Sequence, residues 1–163
     1  MTVLVCDNLG YQSTGGQYGW TTPPGVKTDS SPYGMYEPNW VQPDQDVLNV
    51  IRSAGATFLA RHVSMDGRPL VDTLKKALQN DGFSLVHCVY PCITNFAKNA
   101  LGSRNTVKMF NWIKDHAAPL GEVCGDRKII WRTGIYHDAS NSRAEFSQAI
   151  KAKTEEIQRG VSA

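Results

Sequence analysis

The first loop of the sequence carries groups that can bind a metal ion and phosphate. Asp7 and Asn8 directly follow the apolar run "TVLVC". The side-chain oxygen of Asn8 suits a hard cation such as Mg²⁺, and Gly10 can present its backbone carbonyl in a conformation that other residues rarely adopt. Small side chains and amides that suit phosphate oxygens follow at Thr14, Gly15, Gly16 and Gln17. A purely structural turn is the alternative, and the residues alone leave it open.

The four cysteines and four histidines show no catalytic or metal-binding spacing. The cysteines match neither a disulfide-rich module nor a zinc ribbon, and a single cysteine is most simply a buried, inert thiol. The histidines belong to no nucleophile–histidine–acid arrangement, so catalytic residues stay unassigned. We expect the histidines to be structural or solvated, with the first of them able to face a site: His62, His87, His116 and His137.

Composition indicates one globular domain. The chain has 163 residues, of which 41% are hydrophobic and 20% charged, with a net charge of +2. This charge is too small to favour nucleic acid or an anionic membrane as a partner. No apolar run approaches the ~20 residues that span a bilayer, and no signal peptide is recognisable. We therefore predict a cytoplasmic protein without nucleic-acid or membrane partners.

Strand and helix patterns alternate, which predicts an α/β domain with a mostly parallel sheet and flanking helices. Predicted strands are "TVLVC", "TFLAR", "SLVHCVY" and "KIIWRTGIY". Residues 7–43 are irregular, and residues 92–103 read as a second connecting loop. Ligands bind such sheets beyond the carboxyl ends of the strands, where the Asp7 loop lies.

Four helices are predicted from apolar periodicity and end signals. The first is capped by Asp44 and ended by Gly55, and the second has Pro69 in its first turn and Gly82 as its stop. The third is "NTVKMFNWIKDHA", and the fourth, "RAEFSQAIKAKTEEIQRG", is ended by Gly160. The apolar face of the second helix is predicted at Leu70, Val71, Leu74, Ala77 and Leu78. Core contacts of the third are predicted at Val107, Phe110, Trp112 and Ile113. Met109, Phe110 and Trp112 are interpreted as core or subunit-interface contacts.

The stretch "DNLGYQSTGGQYGWTTPPGVKTDSSPYG" resembles the β subunits of the 2-oxoacid:ferredoxin oxidoreductases, a thiamine-diphosphate-dependent family. The similarity continues through "GATFLARH", "LKKALQNDGFSLVHCVYPCITNFAKN" and "KMFNWIKDH", from residue 3 to about residue 116. The resemblance implies that residues 1–163 are the C-terminal part of a thiamine-diphosphate-binding fold that lacks its N-terminal half. Residues 1–43 would be its cofactor-loop segment and residues 44–163 its α/β segment.

The resemblance also implies roles for the loop residues. Asn8 and the Gly10 carbonyl would be Mg²⁺ ligands, and Asp7 would flank and orient that site. Residues expected near the cofactor or shaping its pocket are Tyr11, Thr14, Gly15, Gly16 and Gln17. Ser13 departs from the methionine that is usual in the family, so the local pocket wall is undefined.

Cys92, in "YPCITN", is similar to the last cysteine ligand of the family's four-iron four-sulfur cluster. Cys6, Cys88 and Cys124 match nothing. The family's Gly-Asp-Gly metal-binding segment and its three earlier cluster cysteines have no counterpart in this sequence. We therefore expect a fragment, a split gene product or a cloned portion, with an exposed sheet edge, weak or no cofactor binding by itself, and no oxidative activity.

For the complete enzyme the resemblance implies oxidative decarboxylation of a 2-oxoacid, such as pyruvate or 2-oxoglutarate, to acyl-CoA with reduction of ferredoxin. Its partners would be an α subunit, ferredoxin and coenzyme A, with γ and δ subunits left open. One alternative is a non-oxidative thiamine-dependent decarboxylase subunit, against which the cysteine of "YPCITN" argues. The other is a non-catalytic remnant that acts as an interaction module. The sequence does not indicate which 2-oxoacid is used.

Overall fold

The computed structural model describes residues 1–34, 47–90, 92–140, 142, 144 and 146–161. Within this part a five-stranded sheet has the order β1-β3-β2-β5-β4. The strands are β1 (Thr2–Asp7), β2 (Phe58–Val63), β3 (Ser84–Val89), β4 (Ala117–Pro119) and β5 (Trp131–Asp138). β1, β3 and β2 are mutually parallel, so their carboxyl ends share one edge.

The far side of the sheet runs in the opposite direction. β5 pairs antiparallel with β2, and β4 pairs parallel with β5. The predicted α/β class with a mostly parallel sheet is confirmed, but β5 does not continue the parallel series. No helical crossover joins β4 to β5, because the connection runs from residue 120 to residue 130 without a helix. The three-residue strand β4 was too short for its sequence pattern to predict.

The described residues contain five α-helices and one short 3₁₀ helix, Ser64–Asp66. The α-helices are α1 (Val47–Ser53), α2 (Arg68–Gln79), α3 (Phe96–Leu101), α4 (Thr106–Asp115) and α5 (Phe146–Val161). α4 begins where the side chain of Asn105 accepts a hydrogen bond from the Lys108 amide, at 3.0 Å. α3 occupies what the sequence predicted to be a loop. The predicted Asp44 cap and the boundary at residues 43 and 44 lie outside the described residues.

The two central strands are buried on both faces. Every residue of β2 and β3 is buried, as expected for parallel strands covered by helices on each side. On one face Leu59 and Leu85 pack with Leu48 of α1. On the other face Phe58, Val86 and their neighbours pack against Ala77 of α2.

A third apolar cluster lies beyond the carboxyl ends of β1, β2 and β3. Its buried members are Leu9, Val63, Val89, Phe96, Ala97, Met109, Ile113, Ile130 and Trp131. Trp112 is partly buried against it, with its ring centroid 5.7 Å from that of Phe96 and 5.8 Å from that of Trp131. The cluster joins α3 and α4 to the loop that follows β1.

The predicted apolar faces of α2 and α4 are confirmed in part. Ala77 and Ile113 are buried, and partly buried side chains pack against the apolar clusters at Leu70, Leu74 and Trp112. On α4, Val107 is 64% exposed and Phe110 is also exposed, whereas Met109 and Ile113 are buried. On α2, Val71 and Leu78 are exposed, and Thr73 takes a buried position beside Ala77. Each helix therefore buries a narrower stripe than its apolar residues suggested.

The helix ends also differ from the prediction. α2 stops at Gln79, three residues before Gly82, and α5 continues through Gly160. The described side chains of α5 are all exposed. Within the described residues, no helix is long and apolar enough to cross a membrane.

Replacing Gly82 should destabilise the protein. A Cβ atom at Gly82 would collide with the Thr57 hydroxyl, which the Asn80 amide holds in place at 2.8 Å. We expect Gly82→Ala to lower the free energy of unfolding by about 1–3 kcal/mol in urea titration. Gly160→Ala is the matched control, since nothing lies within 4 Å of that position. Equal stability of the two variants would contradict the packing described here.

Candidate functional site

The loop after β1 makes a sharp turn at Leu9. Leu9 has a φ of 68°, a left-handed conformation that costs a non-glycine residue about 1–2 kcal/mol. Three contacts hold it there. Its amide donates to Asp7 Oδ1 at 2.8 Å, its carbonyl accepts from Thr22 Oγ1 at 2.8 Å, and its side chain is fully buried in the third cluster.

Both oxygens of the Asp7 carboxylate are engaged inside the protein. Oδ1 accepts hydrogen bonds from the Leu9 amide and from Thr21 Oγ1, each at 2.8 Å. Oδ2 lies 2.9 Å from His87 Nε2. The residue is only 8% exposed. The Asp7 side chain therefore points into the protein, and its hydrogen bonds hold the first loop in place.

The bond to His87 continues to a buried arginine. Arg61 Nε donates to His87 Nδ1 at 2.9 Å. Because a guanidinium only donates, His87 Nδ1 must accept, and its proton lies on Nε2, facing Asp7. Arg61 is completely buried. Burial lowers the pKa of its guanidinium, while Tyr136 and Asp7 act in the opposite direction.

Sequence reasoning missed this chain of three polar residues. His87 was expected to be structural or solvated, and Arg61 had no expected role. A signal was present, since an arginine and a histidine interrupt apolar strands that are buried on both faces, where charged residues are rare without partners. His62, the other buried histidine, instead contacts Asp66 at 2.7 Å and Thr73 at 2.8 Å.

Asn8 and Gly10 present oxygen atoms that remain available. Both residues are half-buried. Among the described residues, no hydrogen bond to the Asn8 side chain or to the Gly10 carbonyl is found. Gly10 has a φ of 150°, and a Cβ there would lie 2.7 Å from the Gln17 carbonyl oxygen. The loop thus offers two possible oxygen ligands from residues two positions apart in the sequence, and only glycine fits at the second.

Residues 11–17 form a closed hairpin turn. The Tyr11 amide donates to the Gln17 carbonyl at 3.1 Å, and the Gly16 and Gln17 amides both donate to the Tyr11 carbonyl. The Gly15 amide donates to the Gln12 carbonyl, so these amides are not free for phosphate as the sequence suggested. The Gln17 side chain donates to the Thr14 carbonyl at 2.8 Å.

Exposure differs along this hairpin. Tyr11 is 64% exposed. Thr14 and Gly15 are also exposed, whereas Gln17 is half-buried and Gly16 is buried. The ring of Tyr11 and the side chains at the tip are therefore the parts that a ligand can contact.

The hairpin packs against the segment that contains Cys92. Asn95 Nδ2 donates to the Gln12 carbonyl at 2.7 Å. A Cβ at Gly16 would lie 3.0 Å from Asn95 Cβ. Cys92 itself packs on the cluster that holds Leu9. The structure thus brings Cys92 and the first loop, which are more than seventy residues apart in the sequence, to the same end of the sheet.

The Cys92 thiol is favourably placed to ionise. Burial raises its pKa, but hydrogen bonds from the Phe96 amide, the Thr94 side chain, and the Asn95 and Thr94 amides outweigh burial and lower it overall. Cys88 is the opposite case, because burial raises its pKa to about 11. In the part of the chain that is described, no three His, Cys, Asp or Glu side chains are grouped as a metal site.

Comparison with known families decides the affiliation of the chain. Residues 1–88, more than half of the 163 residues, match the family described as thiamine pyrophosphate enzyme, C-terminal TPP binding domain. The chain belongs to this thiamine pyrophosphate enzyme family. The match includes β1, the first loop and nearly all of β3.

Relatives of this thiamine pyrophosphate enzyme domain include subunits of 2-oxoacid oxidoreductases. The 2-oxoglutarate synthase subunit KorB of Methanothermobacter marburgensis is 34% identical over 118 residues, which cover 72% of this chain and 39% of that subunit. The 2-oxoacid:ferredoxin oxidoreductase subunit beta of Saccharolobus solfataricus is 35% identical over 94 residues, covering 58% of this chain and 29% of that subunit. The chain thus spans less than half the length of these curated relatives.

A solved structure shares the fold of the domain. It is a 2-oxoglutarate:ferredoxin oxidoreductase from Magnetococcus marinus with 2-oxoglutarate, coenzyme A and succinyl-CoA bound. The TM-score is 0.71 at 21% identity, and the match covers 97% of this chain and 53% of that one. The predicted fold, a thiamine-diphosphate-binding α/β domain matching part of a longer chain, is confirmed.

Substitution of Gly10 tests the crowding of the loop. Gly10→Ala would place a methyl group 2.7 Å from the Gln17 carbonyl oxygen, whereas the nearest atom to a Cβ at Gly15 is 3.4 Å away. Both glycines have positive φ, so the two alanine variants carry a similar backbone cost. We expect Gly10→Ala to be less stable than Gly15→Ala by about 1–3 kcal/mol in urea titration. The reverse order would show that the loop is not packed as described.

Cysteine reactivity tests the environment of Cys92. At pH 7.5 we expect iodoacetamide to alkylate Cys92 at least about tenfold faster than Cys88, because the thiolate is the nucleophile and Cys88 remains protonated and buried. Peptide-resolved mass spectrometry over a time course measures both rates. Unfolding in guanidinium is the control and should make the rates similar. Comparable rates in the folded protein would contradict the assignment.

Proposed function

We propose that this chain supplies the second half of a thiamine diphosphate and Mg²⁺ site in the β subunit of a 2-oxoacid:ferredoxin oxidoreductase. The observation that carries the proposal is the pair of available oxygens at Asn8 and Gly10, at the carboxyl end of β1. Family membership and the two relatives described above, KorB and the subunit beta of S. solfataricus, support it. Oxygen ligands of this kind fit Mg²⁺.

The chain contributes only part of the metal coordination. Mg²⁺ requires near-octahedral oxygen geometry, so two protein oxygens leave positions for diphosphate, water and a further carboxylate. Asp7 is not available as that carboxylate, because both of its oxygens are engaged. We propose that Asp7 orients the site and that the remaining protein ligand belongs to the other half of the subunit.

The hairpin forms one wall of the proposed cofactor pocket. Tyr11 and Thr14 provide exposed polar side chains, and the turn through Gly15, Gly16 and Gln17 sets their position. When bound, thiamine diphosphate supplies the electron sink for decarboxylation of a 2-oxoacid. The residues of this chain bind and orient the cofactor and exclude water from one side of it.

Cys92 is proposed as one ligand of a four-iron four-sulfur cluster. Its lowered pKa and its place beside the cofactor loop suit a thiolate ligand. One thiolate cannot hold a cluster, so the other ligands must come from outside the described residues. A cysteine in this place also favours the oxidoreductase over a non-oxidative decarboxylase, which needs no cluster.

The reaction proposed for the complete enzyme is oxidative decarboxylation of a 2-oxoacid, such as pyruvate or 2-oxoglutarate, to acyl-CoA. The proposed partners are ferredoxin, coenzyme A and an α subunit. Whether γ and δ subunits also take part is left open. We propose residues 1–43 as the cofactor-loop segment and residues 44–163 as the α/β segment of one domain. A cytoplasmic location remains a prediction. The alternative function is a non-catalytic remnant that acts as an interaction module, and the following test addresses it.

A chimeric subunit tests the proposed site. Residues 2–116 of this chain would replace the matching part of the M. marburgensis KorB subunit, and calorimetry would measure thiamine diphosphate binding with and without Mg²⁺. We expect Mg²⁺-dependent binding by the chimera and weak or no binding by the isolated chain. Asn8→Ala should weaken binding by about tenfold or more, since a metal ligand is lost. Asn111→Ala, an exposed position on α4, is the control.

Two results would contradict the proposed cofactor site. The first is a chimera that assembles but whose Asn8→Ala variant binds the cofactor as tightly as the parent. The second is tight, saturable binding by the isolated chain, which would show that the other half contributes no ligand.

A further inference from the structure

We propose that His87 is a positioning residue that sets the orientation of Asn8 through Asp7, and that Arg61 fixes the tautomer of His87. The proposal rests on the proposed function only in treating Asn8 as a ligand. It concerns side chains inside the sheet, to which the sequence assigned no role in the site.

The sheet register places the three polar residues in one row. Arg61 of β2 and Val5 of β1 are both register partners of His87 in β3. Asp7 lies two residues beyond Val5 and so projects from the same face. The row Arg61–His87–Asp7 therefore crosses three adjacent strands and ends at the first loop.

Each bond in the row has a fixed direction. The arginine can only donate, so His87 receives at Nδ1 and donates from Nε2 to the carboxylate. The imidazole cannot rotate or change tautomer without losing both bonds. The Asp7 carboxylate is thereby held in one plane.

The plane of the carboxylate in turn fixes both arms of the loop. Oδ1 accepts hydrogen bonds from the Leu9 amide, one residue after Asn8, and from Thr21 Oγ1, in the later part of the loop. Asn8 thus lies between two residues that the same carboxylate holds. Movement of Asp7 would turn the Asn8 oxygen and release the strained conformation at Leu9.

The choice of side chains supports a positioning role. A buried arginine and histidine carry a large desolvation cost, and apolar residues of similar volume usually stabilise a core at least as well. The hydrogen bonds from Arg61 to His87 and from His87 to Asp7 instead fix the plane of the carboxylate, which apolar side chains cannot do.

His62 provides a matched comparison in the same sheet. It is buried, makes two side-chain hydrogen bonds, and lies in β2 next to Arg61. Its side chain projects from the opposite face, and its partners are Asp66 and Thr73. A substitution at His62 therefore removes a comparable histidine without touching the first loop.

The test measures amide hydrogen exchange of the ¹⁵N-labelled chain by NMR, without cofactor. His87→Asn keeps an acceptor near Arg61 but is too short to donate to Asp7, whereas His87→Gln can place its amide where Nε2 lies. We expect His87→Asn to accelerate exchange at the Leu9 amide by about tenfold relative to the sheet amides, and His87→Gln to stay within about threefold of the parent. His62→Asn should leave the Leu9 amide unchanged.

Three outcomes would overturn the proposal. The first is an equal exchange rate of the Leu9 amide in His87→Asn and His87→Gln. The second is an unchanged exchange rate of this amide in His87→Asn. The third is an equal acceleration of its exchange in His62→Asn. If His87→Asn does not fold, Asp7→Asn breaks the same bond from the other side, and it should accelerate Leu9 exchange to a similar extent. An unaffected Leu9 amide in that variant would count equally against the proposal.

A second measurement connects the row to the cofactor. In the chimeric subunit, His87→Asn should weaken Mg²⁺-dependent thiamine diphosphate binding by about tenfold, and His62→Asn should not. If the parent chimera binds no cofactor, the proposed function fails, while the exchange experiment still decides whether His87 positions the loop.

Discussion

The geometry of the first loop depends on one carboxylate. Asp7 stands at the end of β1 and accepts hydrogen bonds from the backbone of Leu9, the hydroxyl of Thr21 and the imidazole of His87. A buried carboxylate is stable only when it is fully hydrogen-bonded, so each of these partners is needed to keep it inside the protein. The same bonds engage both oxygens of Asp7 inside the protein. Asp7 thus fixes the position of the loop that carries Asn8 and Gly10, whose oxygens remain available.

The sheet and the third cluster explain why this support is rigid. Parallel pairing of β1, β3 and β2 sets His87 in register with Arg61 and with Val5, two residues before Asp7, so that the three polar side chains share one face. Beyond that edge, α3 and α4 cover the loop, and Asn95 holds the hairpin through the Gln12 carbonyl. Cys92 lies on the same packed surface. One set of contacts therefore positions the proposed metal ligands and the proposed cluster ligand together.

The sequence predicted the parallel part of the fold well, because its strands are continuous apolar runs bounded by clear end signals. It did not predict β4 or the reversal at β5, since a strand's direction depends on its partners and leaves no local pattern. α3 was read as a loop because its six residues are too few to show a helical period. The predicted buried faces of α2 and α4 were too wide. The apolar residues at positions 71, 78, 107 and 110 lie at the edges of these faces and remain exposed.

For the proposed site, the resemblance assigned roles to the loop residues, which stay predictions, and the structure added the residues of the sheet that are hydrogen-bonded to the loop. Hydrogen-bond partners such as Arg61 and His87 lie far from Asp7 in the sequence and meet it only through strand pairing. Leu9 adds a further consequence. Its side chain belongs to the third cluster while its backbone forms the loop, so full opening of the loop would also expose a core side chain. We therefore expect this core contact to keep the first loop ordered without a bound ligand.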